Sequence, residues 1–161
     1  MSETIKVGIA DLKVGVAPQK IATIGLGSCV GVTLYDPVTK IGGMVHIMLP
    51  SSIEIKNSNN VAKFADTGVK KLLEDVLKKG CKKTNLIAKI VGGAQMFKLA
   101  TKDDTLRVGD KNIIAVKQIL RELDLSIRAS DVGGNYGRTI ILDLETGSLL
   151  VRTIGKGEKT I

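Results

Sequence analysis

The fold is decided by the stretch TIGLGSCVGVTLYDPVTKIGGMVHIML, which covers residues 23–49. It contains two apolar runs rich in β-branched residues, at residues 30–35 and 41–49. Asp36-Pro37-Val38-Thr39-Lys40 separates the runs, and these residue types favour a turn. The stretch therefore predicts a β-hairpin.

The register of this hairpin decides which side chains meet. If Tyr35 pairs with Lys40, Cys29 lies directly opposite His46. Directly paired residues have Cβ atoms about 4.5–5.5 Å apart, so the thiol and the imidazole would be in contact. Histidine can take the thiol proton or stabilise a thiolate, and either makes the sulfur a nucleophile. The alternative is that His46 is a satisfied strand histidine without a catalytic role.

Outward from the hairpin, six further strands are predicted by short β-rich runs at residues 5–9, 21–24, 85–91, 125–130, 139–144 and 149–154. Residues 60–79 repeat apolar side chains at intervals of three and four, which predicts a helix that stops at Gly80. Residues 112–123 predict a second helix. About eight strands and two helices favour an α/β sandwich whose helices cover one side of a mostly antiparallel sheet.

Length and composition narrow the class of protein. A chain of 161 residues with 43% hydrophobic positions fits one domain over residues 1–161, and no linker-like tract divides it. No run of roughly 18 apolar residues offers a membrane span, and the N-terminal residues do not resemble a signal peptide. We therefore expect a cytoplasmic protein with reduced thiols and no membrane insertion.

The ionisable residues limit the chemistry and the partners. One His and two Cys cannot supply the four ligands of a structural zinc site, so we expect no metal. The net charge is +8, and residues 51–100 hold ten Lys against four acidic residues. Two Phe and two Tyr offer little stacking surface for bases, so the basic region favours an acidic protein partner over a nucleic acid.

The turn before Cys29 has the residues of an oxyanion hole. Gly25 and Gly27 allow backbone conformations closed to other residues, so N–H groups near Ser28 and Cys29 could point at an anion. The alternative is a tight turn with a buried cysteine. Thr23 is the nearest polar residue that could orient His46, since no carboxylate is evident.

The second thiol and the remaining glycine turns offer weaker candidates. Cys81 is read as structural or incidental, although neighbouring lysines could lower its pKa. The turns at Gly92-Gly93 and residues 133–138 could shape a groove for a substrate or partner, with ordinary turns and core packing as the alternative. The groove candidates are Met96, Phe97, Gly133, Gly134, Asn135 and Arg138, the last as a partner for a carboxylate or a backbone carbonyl.

Five segments together resemble one family. They are TIGLGSC at residues 23–29, HIMLP at 46–50, KFADT at 63–67, VGGAQMF at 91–97 and DVGGN at 131–135. Their order and spacing are similar to those of the CheD family of chemoreceptor glutamine deamidases, over roughly residues 5–158. The resemblance implies a three-layer α/β sandwich like that of bacterial toxin deamidases.

The resemblance also implies a function and a site. It implies a protein-glutamine glutaminase that converts glutamines of methyl-accepting chemoreceptors to glutamate, with Cys29 as nucleophile, His46 as base and Thr23 as support. Gly27 and Ser28 would support the oxyanion, glutamyl methyl esters could be hydrolysed by the same steps, and no cofactor is implied. The family also binds CheC, a phosphatase of phosphorylated CheY. Two alternatives stay open: a mainly non-catalytic regulator of CheC, and a thiol enzyme acting on small amides.

Overall fold

The computed structural model describes residues 3–53, 59–96 and 107–161. This part of the chain forms two five-stranded sheets and two α-helices. In chain order the elements are β1 (Thr4–Val7), β2 (Leu12–Val16), β3 (Lys20–Leu26), β4 (Val30–Asp36), β5 (Ile41–Ile47), α1 (Ala65–Lys79), β6 (Ile87–Gly92), α2 (Val108–Glu122), β7 (Ile127–Val132), β8 (Arg138–Asp143), β9 (Leu149–Thr153) and β10 (Gly157–Thr160).

The sheets and helices stack as three layers. The first sheet has the order β1-β3-β8-β9-β10 and the second β2-β5-β4-β6-β7, with parallel pairs only at β1–β3 and β6–β7 among these strands. One apolar cluster joins α1 and α2 to the second sheet, and another fills the space between the two sheets. The predicted α/β sandwich of mixed sheets is therefore confirmed.

Strands β4 and β5 lie at the centre of this arrangement. Every residue of both strands is buried, because each strand has apolar neighbours on its two faces. Val32 and Leu34 contact the helical layer, whereas Tyr35 and Met44 pack towards the first sheet. This double burial explains the apolar runs from which the hairpin was predicted.

Helix α1 begins later than the periodicity predicted. Residues Val61–Lys63 form a single 3-10 turn, and Phe64 is extended with φ −111° and ψ 144°. Phe64 bridges Leu49 next to β5, so tertiary pairing replaces the first helical turns. The predicted stop is confirmed: Gly80 adopts φ +130° and its N–H donates to the carbonyls of Val76 and Leu77.

Helix α2 begins four residues before the predicted start. Gly109 lies in the first turn of α2 and lets that turn approach the loop after β6. A Cβ added to Gly109 would lie 2.5 Å from the carbonyl oxygen of Ala94. The apolar face of α2 then packs on the second sheet through Val116, Ile119 and Leu120. Across residues 3–53, 59–96 and 107–161, no helix is long and apolar enough to cross a membrane.

Two observed strands were not predicted. Strand β2 is short and contains Gly15, and it pairs at the edge of the second sheet with β5. Strand β10 reads GEKT and is exposed along its whole length at the edge of the first sheet. Edge strands of this kind carry little apolar patterning, so backbone pairing rather than burial defines them.

Candidate active site

The hairpin exists, but its predicted register is wrong. Asp36 is the last residue of β4 and pairs with Ile41, so His46 lies opposite Gly31 and not opposite Cys29. The Asp36 carboxylate accepts the N–H of Val38 at 2.9 Å, and its carbonyl accepts the N–H of Lys40 at 2.8 Å. These bonds close a four-residue loop after Asp36, which shifts the pairing relative to the prediction.

Cys29 and His46 nevertheless face the same layer. Cys29 precedes β4 by one residue, and its carbonyl still pairs with the N–H of Gly93 at 2.8 Å. It packs on the cluster between the two sheets, as does Met44, which lies on the same face of β5 as His46. Diagonal neighbours in such a pair lie about 7–8 Å apart, a gap that thiol and imidazole side chains shorten.

Thr23 reaches His46 from the opposite sheet. Its hydroxyl oxygen lies 2.8 Å from Nδ1 of His46 and 2.7 Å from the carbonyl oxygen of Val7. A hydroxyl has one proton, and the carbonyl of Val7 can only accept it. The Thr23 oxygen must then accept from His46, which places the imidazole proton on Nδ1. Nε2 is left with its lone pair free.

The free Nε2 atom lies in a buried environment. His46 is fully buried, and Nε2 has no hydrogen-bond partner among the described residues. Burial lowers the pKa of His46 from its ordinary value of 6.5 to about 4, and burial raises the pKa of the half-buried Cys29 thiol. Both groups are therefore neutral at pH 7, and the Cys29 thiol makes no hydrogen bond to Nε2 in this structure, so no ion pair is preformed.

The turn between β3 and Cys29 carries two unused donors. Gly25 has φ +77°, and the N–H of Gly27 is taken by the carbonyl of Gly25 at 3.1 Å. The N–H groups of Ser28 and Cys29 donate to no acceptor in the described part of the chain. They are the donors available for an oxyanion, whereas Gly27 contributes the close turn.

Sequence reasoning missed Asn112 as a site residue. This residue of α2 is fully buried, and its Nδ2 donates to the carbonyl of Ser28 at 2.9 Å and to that of Met48 at 3.1 Å. The signal was present in the sequence, because Asn112 stands four residues before Val116 on the apolar face of the predicted helix. A polar residue at a core position predicts a buried hydrogen bond.

One of the predicted groove residues, Met96, contacts the turn before Cys29, and the loop at residues 133–135 is bonded to the segment that carries Met96. Met96 lies over Gly27, where an added Cβ would be 3.1 Å from the Met96 Cγ, and its side chain is partly exposed. The N–H of Gln95 donates to the carbonyl of Gly134, and the N–H of Gly133 to the carbonyl of Gly92. Asn135 is exposed in the adjoining loop. Phe97 lies outside the described residues.

Arg138 supports this loop from inside. It is fully buried, its Nε donates to the Asp131 carboxylate at 3.1 Å, and its Nη1 donates to the carbonyl of Gly133 at 2.8 Å. Its guanidinium also stacks on Tyr136 at 4.6 Å from the ring centre. The carboxylate and carbonyl that Arg138 fixes belong to its own chain, so its direct effect is on loop geometry.

Cys81 lies away from this site. It is buried beside α1, and its thiol donates to the carbonyl of Ile41 at 3.4 Å. Burial raises its pKa to about 11, so the neighbouring lysines do not lower it below its ordinary value. The neighbouring lysines are exposed to solvent, where their charge is screened.

Comparisons with known proteins agree on one family. The family model described as CheD chemotactic sensory transduction matches residues 48–153. A protein named probable chemoreceptor glutamine deamidase CheD from Syntrophomonas wolfei is 53% identical over 161 residues, covering 100% of both chains. Proteins of the same name from Lachnoclostridium phytofermentans and Caldanaerobacter subterraneus are 52% and 51% identical, covering 100% and 99% of each chain.

Proposed function

Because this chain belongs to the CheD family, we propose that it is a protein-glutamine deamidase of methyl-accepting chemoreceptors, with Cys29 as nucleophile and His46 as base. The observation that carries the proposal is the Thr23–His46 hydrogen bond of 2.8 Å. This bond holds the imidazole proton on Nδ1 and leaves Nε2 as the proton acceptor. A cysteine hydrolase needs a base in that state beside its thiol.

The first half of the reaction releases ammonia. The Cys29 sulfur attacks the side-chain carbonyl carbon of the glutamine while the thiol proton moves to Nε2 of His46. The N–H groups of Ser28 and Cys29 stabilise the oxyanion that forms. Nε2 then gives its proton to the departing nitrogen, the carbon–nitrogen bond breaks, and a thioester joins the substrate to Cys29.

The second half restores the enzyme. His46 takes a proton from water, whose oxygen attacks the thioester carbon, and the carbon–sulfur bond breaks as the proton passes back to the sulfur. The products are glutamate and the free thiol, and one water is consumed for each ammonia released. A glutamyl methyl ester would react by the same steps, with methanol leaving in place of ammonia.

Thr23 stabilises the protonated form of His46 less than a carboxylate would. Its hydroxyl offers His46 a single dipole, while a carboxylate would stabilise the imidazolium. The lowered pKa of His46 agrees with this, since burial favours the uncharged ring. Thiolate and imidazolium therefore form only when substrate is attacked, and no charged pair has to persist between the sheets.

The test is mass spectrometry of a purified chemoreceptor cytoplasmic fragment incubated with the protein. We expect Gln-to-Glu mass shifts at discrete sites with the wild-type protein and none with Cys29→Ala. Cys81→Ala is the matched control, because it removes the other thiol and should retain activity. Full activity of Cys29→Ala, or no shift from the folded wild-type protein, contradicts the proposal.

Binding of CheC, and through it an effect on phosphorylated CheY, stays a prediction from the family resemblance. Met48 and Met96 expose apolar surface near the proposed site, which suits an apolar contact with a partner. A Cys29→Ala protein that still stimulates the CheC phosphatase would separate binding from catalysis. A wild-type protein that binds CheC but never deamidates receptors would favour the regulator as its main role in the cytoplasm.

A further inference from the structure

The end of the β4–β5 hairpin is closed by a side chain. Val30 and Ile47 form the last pair of the ladder. Beyond it the Cys29 carbonyl turns to the N–H of Gly93, and the carbonyls of Ser28 and Met48 are left without a partner in the hairpin. The Asn112 Nδ2 donates one hydrogen to each, at 2.9 and 3.1 Å. The amide of Asn112 thus takes the place of a further rung and links the nucleophile segment to the segment that follows the base.

This link fixes the orientation of one peptide group. In a trans peptide the carbonyl of Ser28 and the N–H of Cys29 point in opposite directions. Since the Ser28 carbonyl is held towards α2 by Asn112, the N–H of Cys29 points away from that helix. The same N–H has no acceptor within the described residues, which leaves it available to a substrate.

Asn112 makes these bonds in a position that suits an apolar residue. It is fully buried on the same helix face as Val116 and Leu120, and its Oδ1 has no hydrogen-bond partner among the described residues. An unpaired buried oxygen is unfavourable for folding. The residue is therefore poorly explained by core packing alone.

We propose that Asn112 is a positioning residue, which holds the Cys29 N–H towards the oxyanion of the reaction. The inference rests on the proposed function. Asn112 contacts no reacting atom: it acts through the Ser28 carbonyl. Without it, the peptide can rotate and the oxyanion loses an aligned donor, while the thiol and His46 stay in place.

The test compares kinetics of wild type, Asn112→Leu and Leu120→Ala on the receptor fragment. Asn112→Leu keeps the size of the side chain but removes both donated hydrogen bonds. Leu120→Ala is the control for lost stability in α2, because Leu120 is buried and lies two helical turns, about 12 Å, beyond Asn112. The rate of Cys29 alkylation by iodoacetamide, which forms no oxyanion, is measured on all three proteins.

For Asn112→Leu we expect kcat to fall about tenfold to hundredfold, somewhat less than after removal of an oxyanion-hole donor. KM and the alkylation rate should stay within about twofold of wild type, as expected when only transition-state stabilisation is lost. A kcat near that of wild type, or an equal loss in Leu120→Ala, overturns this inference alone. A wild-type protein without deamidase activity overturns the proposed function together with it.

Discussion

At the scale of single residues, the tautomer of His46 is set by the hydroxyl of Thr23. Replacing Thr23 with Val keeps the shape but leaves His46 Nδ1 and the Val7 carbonyl without their partner. We expect kcat to fall about tenfold, less than the 10²–10⁴-fold contribution typical of a general base. Thr23→Ser, which keeps the hydroxyl, is the matched control. Equal kcat values for the Val and Ser variants would contradict the assigned role.

Burial of His46 also predicts how stability depends on pH. The unfolded imidazole binds a proton near its ordinary pKa of 6.5, whereas the folded ring resists protonation until about 4. The contribution of His46 is therefore complete above 6.5 and is lost as pH falls from 6.5 towards 4, at up to about 1.4 kcal/mol per pH unit. Urea unfolding at several pH values should show this loss in wild type.

His46→Gln is the control for that measurement, because the amide does not titrate. Its unfolding free energy should change less between pH 6.5 and 4 than that of wild type. An identical slope in the two proteins would show that other groups cause the acid sensitivity.

The residues of the site differ in how far sequence could identify them. Cys29, His46 and Thr23 stood out by type and spacing, and their two sheets do bring Thr23 against His46. The register was wrong because the turn is closed by the Asp36 carboxylate, a side-chain bond that apolar patterning does not report. The sequence pattern also did not show that Thr23 lies on the other sheet from His46, because contacts between sheets join residues that are distant in the chain.

At the scale of elements, α2 depends on its close approach to the loop after β6. An added Cβ at Gly109 would lie 2.5 Å from the Ala94 carbonyl oxygen and 2.6 Å from that of Gly93. Helix propensity alone predicts that Gly109→Ala stabilises the protein by about 1 kcal/mol. The contact predicts the opposite sign, with a loss of about 1–3 kcal/mol typical of overpacking.

Thermal or urea unfolding of Gly109→Ala decides between these signs. The control is Ile114→Ala on the exposed face of the same helix, which should change stability little. A stabilised Gly109→Ala protein would mean that α2 can shift without cost. In that case the Asn112 contacts with Ser28 and Met48 would also have to tolerate the shift.

The elements that the sequence predicted correctly are those whose residues are buried. The hairpin strands were predicted because their residues are buried on both faces, and α1 because its buried face has helical spacing. The missed strands β2 and β10 are edge strands that are largely exposed or short. Their pairing partners supply the structure, so their own residues carry no comparable signal.

At the scale of the whole molecule, a cluster of four lysines and the proposed site lie at opposite ends of the hairpin. Lys78, Lys79, Lys82 and Lys83 are exposed around the end of α1, and the N–H of Lys82 donates to the Asp36 carboxylate at the turn. Cys29 adjoins the other end of β4, whose seven residues span about 23 Å. A partner that contacts both the lysine cluster and the proposed site must therefore extend along the length of β4.

This separation predicts a particular salt dependence. Charges remote from the reacting atoms assist encounter with an acidic partner but not the chemical steps. Raising the salt concentration should therefore increase KM for the receptor fragment, because it screens the lysines, and leave kcat unchanged. Lys78→Gln combined with Lys82→Gln, which lowers the net charge by two units, should reproduce the rise in KM at low salt.

Lys6→Glu, on a strand of the first sheet, is the matched charge control. A KM independent of salt would exclude an electrostatic contribution of the basic end. A similar KM for the double variant and Lys6→Glu would mean that net charge, rather than this location, attracts the partner.

The hydrogen bond between Thr23 and His46 joins one sheet to the other, and this has a consequence for the newly made chain. Until both sheets have docked, the imidazole has no fixed tautomer and Cys29 has no oriented base to take its proton. A half-folded molecule would thus be unable to modify glutamines at random in the proteins around it. Activity would appear only after the two sheets have packed together, so that the enzyme is switched on by its own folding.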